Sequence, residues 1–203
     1  LTEVFEQAAK SKIITTAHAI NAGRMPDLGK AKGDADFYFV SADDPEQAVT
    51  RIVDLVANRI PRRFGFNPIK DIQVLCPMNR GGVGARSLNI ELQAALNPAG
   101  EKKVERFGWI FAPGDKVMQI ANDYDKDVYN GDIGMIKDVD VDEGELAVDF
   151  EGRTVTFAFG ELDTLVPAYA ATIHKSQGSE YPAVVIPVMT QHYAMLQRNL
   201  IYT

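Results

Sequence analysis

The sequence has one cysteine in 203 residues, so the chain has no disulfide of its own. This residue, Cys76, ends the apolar run Ile72 to Cys76, where a packed thiol is expected. No stretch is long and apolar enough to span a membrane, and no charged segment followed by an apolar one opens the chain. We therefore expect a cytoplasmic protein with no membrane partner.

The chain also lacks the residues that bind nucleotide phosphates or metals most directly. No G-x-x-x-x-G-K-[ST] loop occurs, and the one glycine cluster, Gly81 to Gly84, has neither the lysine nor the hydroxyl of such a loop. Asp123, Asp125 and Asp127 lack the glycine and distal glutamate of a calcium loop, so we expect a solvated acidic loop there. His18 is expected to be a surface or packing residue of the first helix, His192 is expected to start the last helix, and no metal site is predicted. By itself, the chain is not expected to hydrolyse ATP.

The net charge of −7 argues against a general nucleic-acid clamp, because nonspecific affinity comes from a basic surface. The charge is unevenly distributed, however. Acidic residues are concentrated between 123 and 151, whereas the preceding half carries basic residues that include Arg51, Arg59, Arg62, Arg63, Lys70, Arg80 and Arg86. A narrow channel that grips a strand needs only a few phosphate contacts, so the net charge is a weak objection to nucleic-acid binding.

The first half of the chain alternates helical and strand patterns. The predicted elements are a helix from Glu6 to Ala22, a short buried strand from Asp36 to Val40, a helix that begins at Pro45, a strand from Ile72 to Cys76 and a helix from Val83 to Leu96. Strands and helices joined by short connections favour right-handed crossovers and a parallel sheet. The fold class is therefore α/β.

From Gly114 the apolar pattern changes to a period of two residues, which predicts antiparallel strands. The pairs Asn130-Gly131, Glu143-Gly144 and Glu151-Gly152 are typical of the turns between such strands. We expect a small β module at 113–165 that interrupts an α/β domain formed by 1–112 and 166–203. The strand from Ala183 to Met189 belongs to the second part. The alternating aromatics Phe107, Trp109 and Phe111 are expected in a half-buried strand, and base stacking is the alternative.

Two polar loops next to predicted strands are the candidate sites. The run Thr172 to Pro182 precedes the apolar run Ala183 to Val188; Thr172 is placed to cap a short helix, and His174 and Lys175 are placed to donate to backbone phosphates. Asn79, Arg80 and Gly81 follow the strand that ends at Cys76, and ligands bind at that end of parallel strands. The structural alternatives are a capped surface helix and an ordinary strand-to-helix turn.

The run Ala171 to Pro182 resembles the fifth motif of superfamily 1 helicases of the RecD/TraA type, which include the exodeoxyribonuclease V alpha subunit. Further segments resemble this family in the same order along nearly the whole chain: Leu1 to Ala9, Val74 to Gly84, Gly114 to Gln119, Asn130 to Gly134 and Asn199 to Thr203. The resemblance implies a RecA-like motor domain with an inserted SH3-like module, which is the second motor half of an ATP-dependent DNA helicase. Since the last segment stops before an arginine that the family carries, we expect the chain to be part of a longer protein.

The resemblance also implies roles for individual residues. Thr172, His174 and Lys175, together with Asn79, Arg80 and Gly81, are assigned to DNA, and Gln177, Gly178 and Glu180 to ATP. The implied cofactors are ATP and Mg²⁺, with the metal held mainly by an N-terminal motor domain of the same parent protein. The implied partners are single-stranded DNA, that domain, and nuclease or helicase subunits.

One position departs from the family pattern. Glu6 stands where related enzymes carry an arginine that is expected to reach the terminal phosphate of the nucleotide, so no complete catalytic set is predicted in this chain. The competing interpretation is a noncatalytic α/β module with a β-barrel insert that binds nucleic acid or protein.

Overall fold

The computed structural model describes residues 11–30, 33–190 and 197–202. The described residues contain five α-helices: α1 (Lys12–Asn21), α2 (Pro45–Asp54), α3 (Ile60–Phe64), α4 (Ala85–Leu96) and α5 (Arg198–Tyr202). They also contain ten strands: β1 (Ile72–Cys76), β2 (Val104–Arg106), β3 (Trp109–Phe111), β4 (Lys116–Gln119), β5 (Ile133–Asp140), β6 (Glu145–Phe150), β7 (Arg153–Ala158), β8 (Leu165–Pro167), β9 (Ala170–Thr172) and β10 (Ala183–Val185). The α/β class predicted from the sequence is confirmed.

The helices begin and end where their capping residues predict. Ser11 accepts a hydrogen bond from the N–H of Ile14 at the start of α1, and Gly23, with φ +72°, follows its end. Asp44 caps α2 in the same way, with Pro45 in the first turn. A π-helical turn, Leu55–Arg59, joins α2 to α3 just before Pro61, whose ring is incompatible with regular helical geometry.

A three-stranded parallel sheet forms the centre of the α/β part, in the order β10-β1-β9. The buried faces of α2, the π-helical turn and α4 pack against it through Ile52, Val56, Leu88 and Leu92. The edge strand β9 is also held by a side chain of α4, because Asn89 donates to the carbonyl of Ala170 and accepts from its N–H. These two hydrogen bonds fix the first residue of β9 against α4.

A five-stranded antiparallel sheet follows, in the order β7-β6-β5-β4-β8, and we refer to it as the β module. Its own apolar core includes Phe111 from the β2-β3 hairpin as well as Leu146, Phe157 and Leu165. A smaller cluster around Met118, Ala168 and Ala171 packs the β module against the parallel sheet. The sequence bounds proposed for the module, 113 and 165, stay a prediction; the observed sheet runs from Lys116 to Pro167.

Two predicted strands need correction. Residues 36–40 form no strand; instead Asp36 accepts hydrogen bonds from the Ser11 hydroxyl and the Lys12 N–H at the start of α1, and Tyr38 and Phe39 are exposed. The strand predicted from Ala183 to Met189 ends at Val185, shortly before Pro187, which has no N–H to donate to a sheet.

Some sequence-based expectations refer to residues outside the described ranges. The segment Leu1 to Ala9, including Glu6, and the predicted helix start at His192 lie there. His18 is half-buried and packs edge-on against Tyr202 of α5, at a distance of 5.9 Å between ring centroids.

Candidate nucleic-acid interface

The two candidate loops leave the same edge of the parallel sheet. Cys76 and Thr172 are register partners at the ends of β1 and β9, which are parallel neighbours. The turn that carries Asn79, Arg80 and Gly81 follows the first strand, and the 3₁₀ turn Ile173–Ser176 follows the second. The fold therefore brings together two segments that are about a hundred residues apart in the sequence.

Asn79 and Arg80 are exposed in a tight turn between β1 and α4. The backbone of the turn is held by hydrogen bonds from the N–H groups of Ala85 and Arg86 to the carbonyls of Met78 and Asn79, of 3.1 and 3.0 Å. Gly81 has φ +95°, which favours glycine, and its carbonyl accepts a bond of 2.9 Å from the Ser87 hydroxyl. The side chains of Asn79 and Arg80 thus project from a well-ordered backbone.

Gly84 is essential to the shape of this turn. A Cβ atom at this position would lie 2.6 Å from the Asn79 carbonyl oxygen, and it would clash with the Arg80 carbonyl oxygen as well. Gly82 differs, since a Cβ there meets nothing within 4 Å. The close approach explains one member of the glycine cluster without any phosphate-loop chemistry.

The second loop presents a row of exposed polar residues. His174 and Lys175 are exposed in the 3₁₀ turn, and Thr172 is half-buried at its N-terminus. The Thr172 side chain makes no capping hydrogen bond, so the capping role expected from the sequence is wrong. Its hydroxyl lies instead at the end of β9, next to the turn.

The residues assigned to nucleotide continue this loop. Gln177, Gly178 and Glu180 are all exposed. Gly178 has φ +84°, and a Cβ at this position would meet nothing within 4 Å, so the backbone here is open to a ligand. Beside it, the buried Ser176 hydroxyl has no hydrogen-bond partner among the residues that the structure describes. An exposed amide and an exposed carboxylate thus flank an open backbone in this loop.

Neither a metal centre nor a membrane span is found in the described ranges. In the described ranges, no three His, Cys, Asp or Glu side chains are placed to hold a metal ion. Nor does any helix in these ranges have the length and apolar character needed to cross a bilayer.

A buried polar network holds the segment that leads into β9, the strand that precedes the second loop. Asp115 is fully buried, and its carboxylate accepts hydrogen bonds from Gln93, Asn97, Tyr169 and the N–H of Ala112. Gln73, also fully buried, donates to the carbonyl of Ala168 at 3.1 Å, in the segment that leads into β9. Sequence reasoning missed both residues, although a polar side chain inside an apolar run, as at Gln73, is the signal that marks such positions.

The adjacent Lys116 is buried as well. Its ammonium donates to the Ile72 carbonyl at 3.1 Å, which joins β4 to β1. Burial lowers the pKa of Lys116 to about 8, while the nearby Asp71 carboxylate acts in the opposite sense. This lysine is therefore part of the junction between the β module and the parallel sheet.

The aromatic residues of the β2-β3 hairpin are divided between core and surface. Phe111 is fully buried, and Trp109 is half-buried beneath the Arg86 guanidinium, 4.7 Å from its ring centroid. Phe107 is exposed in the tight turn of the hairpin, with φ +52°. The expected strand packing holds for Phe111 and in part for Trp109.

Comparison with known proteins identifies the family. Residues 88–150 match the family described as the ATP-dependent RecD-like DNA helicase SH3 domain, and residues 167–203 match the UvrD-like helicase C-terminal domain. The ATP-dependent RecD2 DNA helicase of Deinococcus radiodurans is 36% identical over 203 residues, which are 100% of this chain and 26% of that protein. The RecBCD enzyme subunit RecD of Mycolicibacterium smegmatis is 31% identical over 168 residues, covering 79% of this chain and 29% of that protein.

A solved structure shares the fold. The Pif1 helicase from Bacteroides, crystallised with ADP-AlF3 and single-stranded DNA, superimposes with a TM-score of 0.52 at 16% identity, over 91% of this chain and 46% of that one. This chain spans only about a quarter to a third of the length of the two RecD-type relatives. The chain belongs to the RecD-like helicase family and corresponds to part of the C-terminal region of its members.

Proposed function

We propose that this chain is the second motor domain, with its inserted SH3-like module, of an ATP-dependent DNA helicase that couples ATP hydrolysis to translocation along a single strand and to duplex unwinding. The proposal rests mainly on the observation that Cys76 and Thr172 are register partners, so that both candidate loops leave the same edge of the parallel sheet. Ligands bind at this end of open α/β sheets. We also propose that the complete protein acts in the cytoplasm.

The strand side of the interface consists of Asn79, Arg80 and Gly81 together with Thr172, His174 and Lys175. The amide, guanidinium, imidazole and ammonium groups all donate to phosphate oxygens, and they project from neighbouring turns. Because the contacts are to the backbone of the nucleic acid, they hold any base sequence, as a translocating motor requires.

The nucleotide side consists of Gln177, Gly178 and Glu180. When bound, ATP supplies the hydrolysable phosphoryl bond. Gln177 and Glu180 would orient the nucleotide, and the open backbone at Gly178 permits its close approach. The phosphate loop and most of the Mg²⁺ ligands would come from the N-terminal motor domain of the parent protein, so the chain alone would turn over no ATP.

Coupling follows from the short distance along the chain between the two sides. His174 and Gln177 are separated by only two residues in one connected turn, so a shift that follows a change of nucleotide also moves the groups that grip the strand. Nuclease or helicase subunits would act as further partners of the complete protein.

A pair of charge-removing variants in the full-length helicase tests the strand side. Arg80→Ala removes an exposed cation just after the C-terminal end of β1, and Lys70→Ala removes one just before its N-terminal end. Arg80→Ala should weaken single-strand binding about tenfold and reduce the slope of log affinity against log salt by about 0.7, as expected for one lost phosphate contact. Lys70→Ala should change neither quantity.

A second pair separates the strand from the nucleotide. His174→Ala should weaken single-strand binding and reduce the stimulation of the ATPase by DNA, whereas Glu180→Ala should chiefly raise the KM for ATP. Unchanged DNA affinity and unwinding in both His174→Ala and Arg80→Ala would contradict the proposed strand side and favour the noncatalytic binding module.

A further inference from the structure

The connection between β4 and β5 is a long, internally bonded loop, 120–132, and it lies beside the candidate interface. At its base, the Gln119 N–H donates to the Asp132 carbonyl at 2.9 Å and the Gly131 N–H donates to the Gln119 carbonyl at 2.8 Å. Asp123 and Val128 exchange two further backbone bonds of 2.7 and 3.0 Å. The loop is thus held in one conformation by its own backbone.

The tip of this loop meets Lys175 in two ways. The Lys175 ammonium donates a hydrogen bond of 2.6 Å to the Asn130 side-chain oxygen. Next to it, a Cβ at Gly131 would lie 3.8 Å from the Lys175 carbonyl oxygen, so the two turns are within ordinary van der Waals distance. Asn130 is itself anchored, because its N–H donates to the Asn122 side chain at 2.9 Å.

The turn geometry leaves the Asn130 side chain free for this task. Residues 129–132 form a β-turn that is closed by a bond of 2.9 Å from the Asp132 N–H to the Tyr129 carbonyl. Only its third residue, Gly131, has a positive φ, of +104°, which is the pattern of a type II turn. The turn expected at Asn130-Gly131 is therefore present, as a type II turn, in which the second position tolerates many residue types.

We propose that Asn130 is a positioning residue of the DNA site, which holds the Lys175 ammonium at the sheet edge where the strand passes. The inference rests on the proposed function, and it extends the DNA site to a residue of the β module. An ammonium has three N–H donors, of which Asn130 takes one and leaves two for phosphate oxygens. A flexible lysine that is already oriented loses less conformational entropy when a strand binds.

The test is a double-mutant cycle in the full-length helicase, with single-strand affinity measured against salt concentration. Lys175→Ala should weaken binding severalfold and reduce the salt slope by about 0.7. Asn130→Ala should weaken binding by a smaller factor, and in the Lys175→Ala background it should have no further effect, because its influence passes through Lys175. Tyr129→Phe, which removes only the bond of this loop residue to Asp127, is the matched control and should leave affinity and salt slope unchanged.

Four outcomes separate this inference from the proposed function. If Arg80→Ala weakens binding but Asn130→Ala does not, Asn130 has no positioning role and the proposed function stands. If the effects of Asn130→Ala and Lys175→Ala are additive, Asn130 acts independently and the inference is likewise overturned. If Asn130→Ala lowers the thermal midpoint of unfolding so far that partial unfolding accounts for the lost affinity, the residue is merely structural. If neither Arg80→Ala nor Lys175→Ala changes the affinity, the proposed strand side and the inference fail together.

Discussion

The phenolic oxygen of Tyr169 lies 2.6 Å from the Asp115 carboxylate, and this hydrogen bond joins the start of β4 to the segment that leads into β9. Both residues are buried. Burial raises the pKa of Tyr169, and the neighbouring charge of Asp115 raises it further, so the phenol stays protonated and remains a donor. The β module and the interface loop are thus connected through one buried carboxylate.

Tyr169→Phe should lower the free energy of unfolding by about 1.5 to 3 kcal/mol, because it leaves one acceptor site of a buried carboxylate empty. Urea denaturation of the chain measures this loss. Tyr124→Phe removes the hydroxyl of a tyrosine that is 76% exposed, and it should change the stability by less than about 0.5 kcal/mol. Equal effects of the two variants would show that the Asp115 network does not stabilise the fold.

Gly84→Ala and Gly82→Ala test the turn that carries Asn79 and Arg80. The methyl group at position 84 would force the Asn79 and Arg80 carbonyls to move, which costs about 1 to 3 kcal/mol of stability and displaces the turn. The same change at position 82 meets open space. Only Gly84→Ala should therefore lower both the stability and the single-strand affinity of the full-length helicase. Comparable losses in both variants would mean that the close approach at Gly84 has no special importance.

Lys116 should make the stability depend on pH. Its pKa is about 8 in the folded chain, against 10.5 for an exposed lysine, so between these values the unfolded state binds more protons than the folded state. The free energy of unfolding therefore rises with pH in this window, by about 2 to 3 kcal/mol from this residue alone. Below about pH 8 the lysine is charged in both states and contributes no slope.

The variant Lys116→Met isolates this contribution. It lacks the titrating group, so the stability of the original chain relative to the variant should increase as the pH is raised from about 8 to about 10. Urea denaturation at several pH values measures the difference, in which the other titrating groups, such as the buried Cys76, cancel. Parallel profiles of stability against pH for the two proteins would show that burial does not destabilise the charged form of Lys116.

Glu6→Arg tests the departure from the family pattern. The resemblance places an arginine where this sequence has Glu6, and an arginine that reaches the terminal phosphate accelerates hydrolysis by a factor on the order of a thousand or more. The substitution should raise the ATPase rate of the full-length helicase and leave its single-strand affinity nearly unchanged. An unchanged rate would indicate that position 6 does not face the nucleotide.

Local patterns in the sequence predicted many of the elements correctly. Asp44 and Pro45 marked the start of α2, and the apolar run at Ile72 marked β1, because capping and burial act over a few neighbouring residues. The segment Asp36 to Val40 was mispredicted for the opposite reason. A strand needs a partner, and the Asp36 carboxylate instead binds the first turn of α1.

The candidate loops were found from the sequence because each combines polar donors and glycine directly beside a strand. The side-chain contacts of Asn89, Asp115 and Asn130 were not predicted, since nothing in the neighbouring sequence indicates their partners. Their partners, Ala170, Tyr169 and Lys175, lie between 45 and 81 residues away. Only the folded chain shows these pairs.

The sequence by itself determined the order of the elements, the change from α/β to antiparallel β near Gly114, and the polar loops after β1 and β9, because each depends on periodicity or turn chemistry within a short segment. The tertiary structure alone decided that these loops leave one sheet edge, that Gly84 needs to be glycine, and that the β module reaches Lys175 through Asn130. The physical reason is that strand register and side-chain contacts arise between distant segments, whose approach is set by the packing of the whole core.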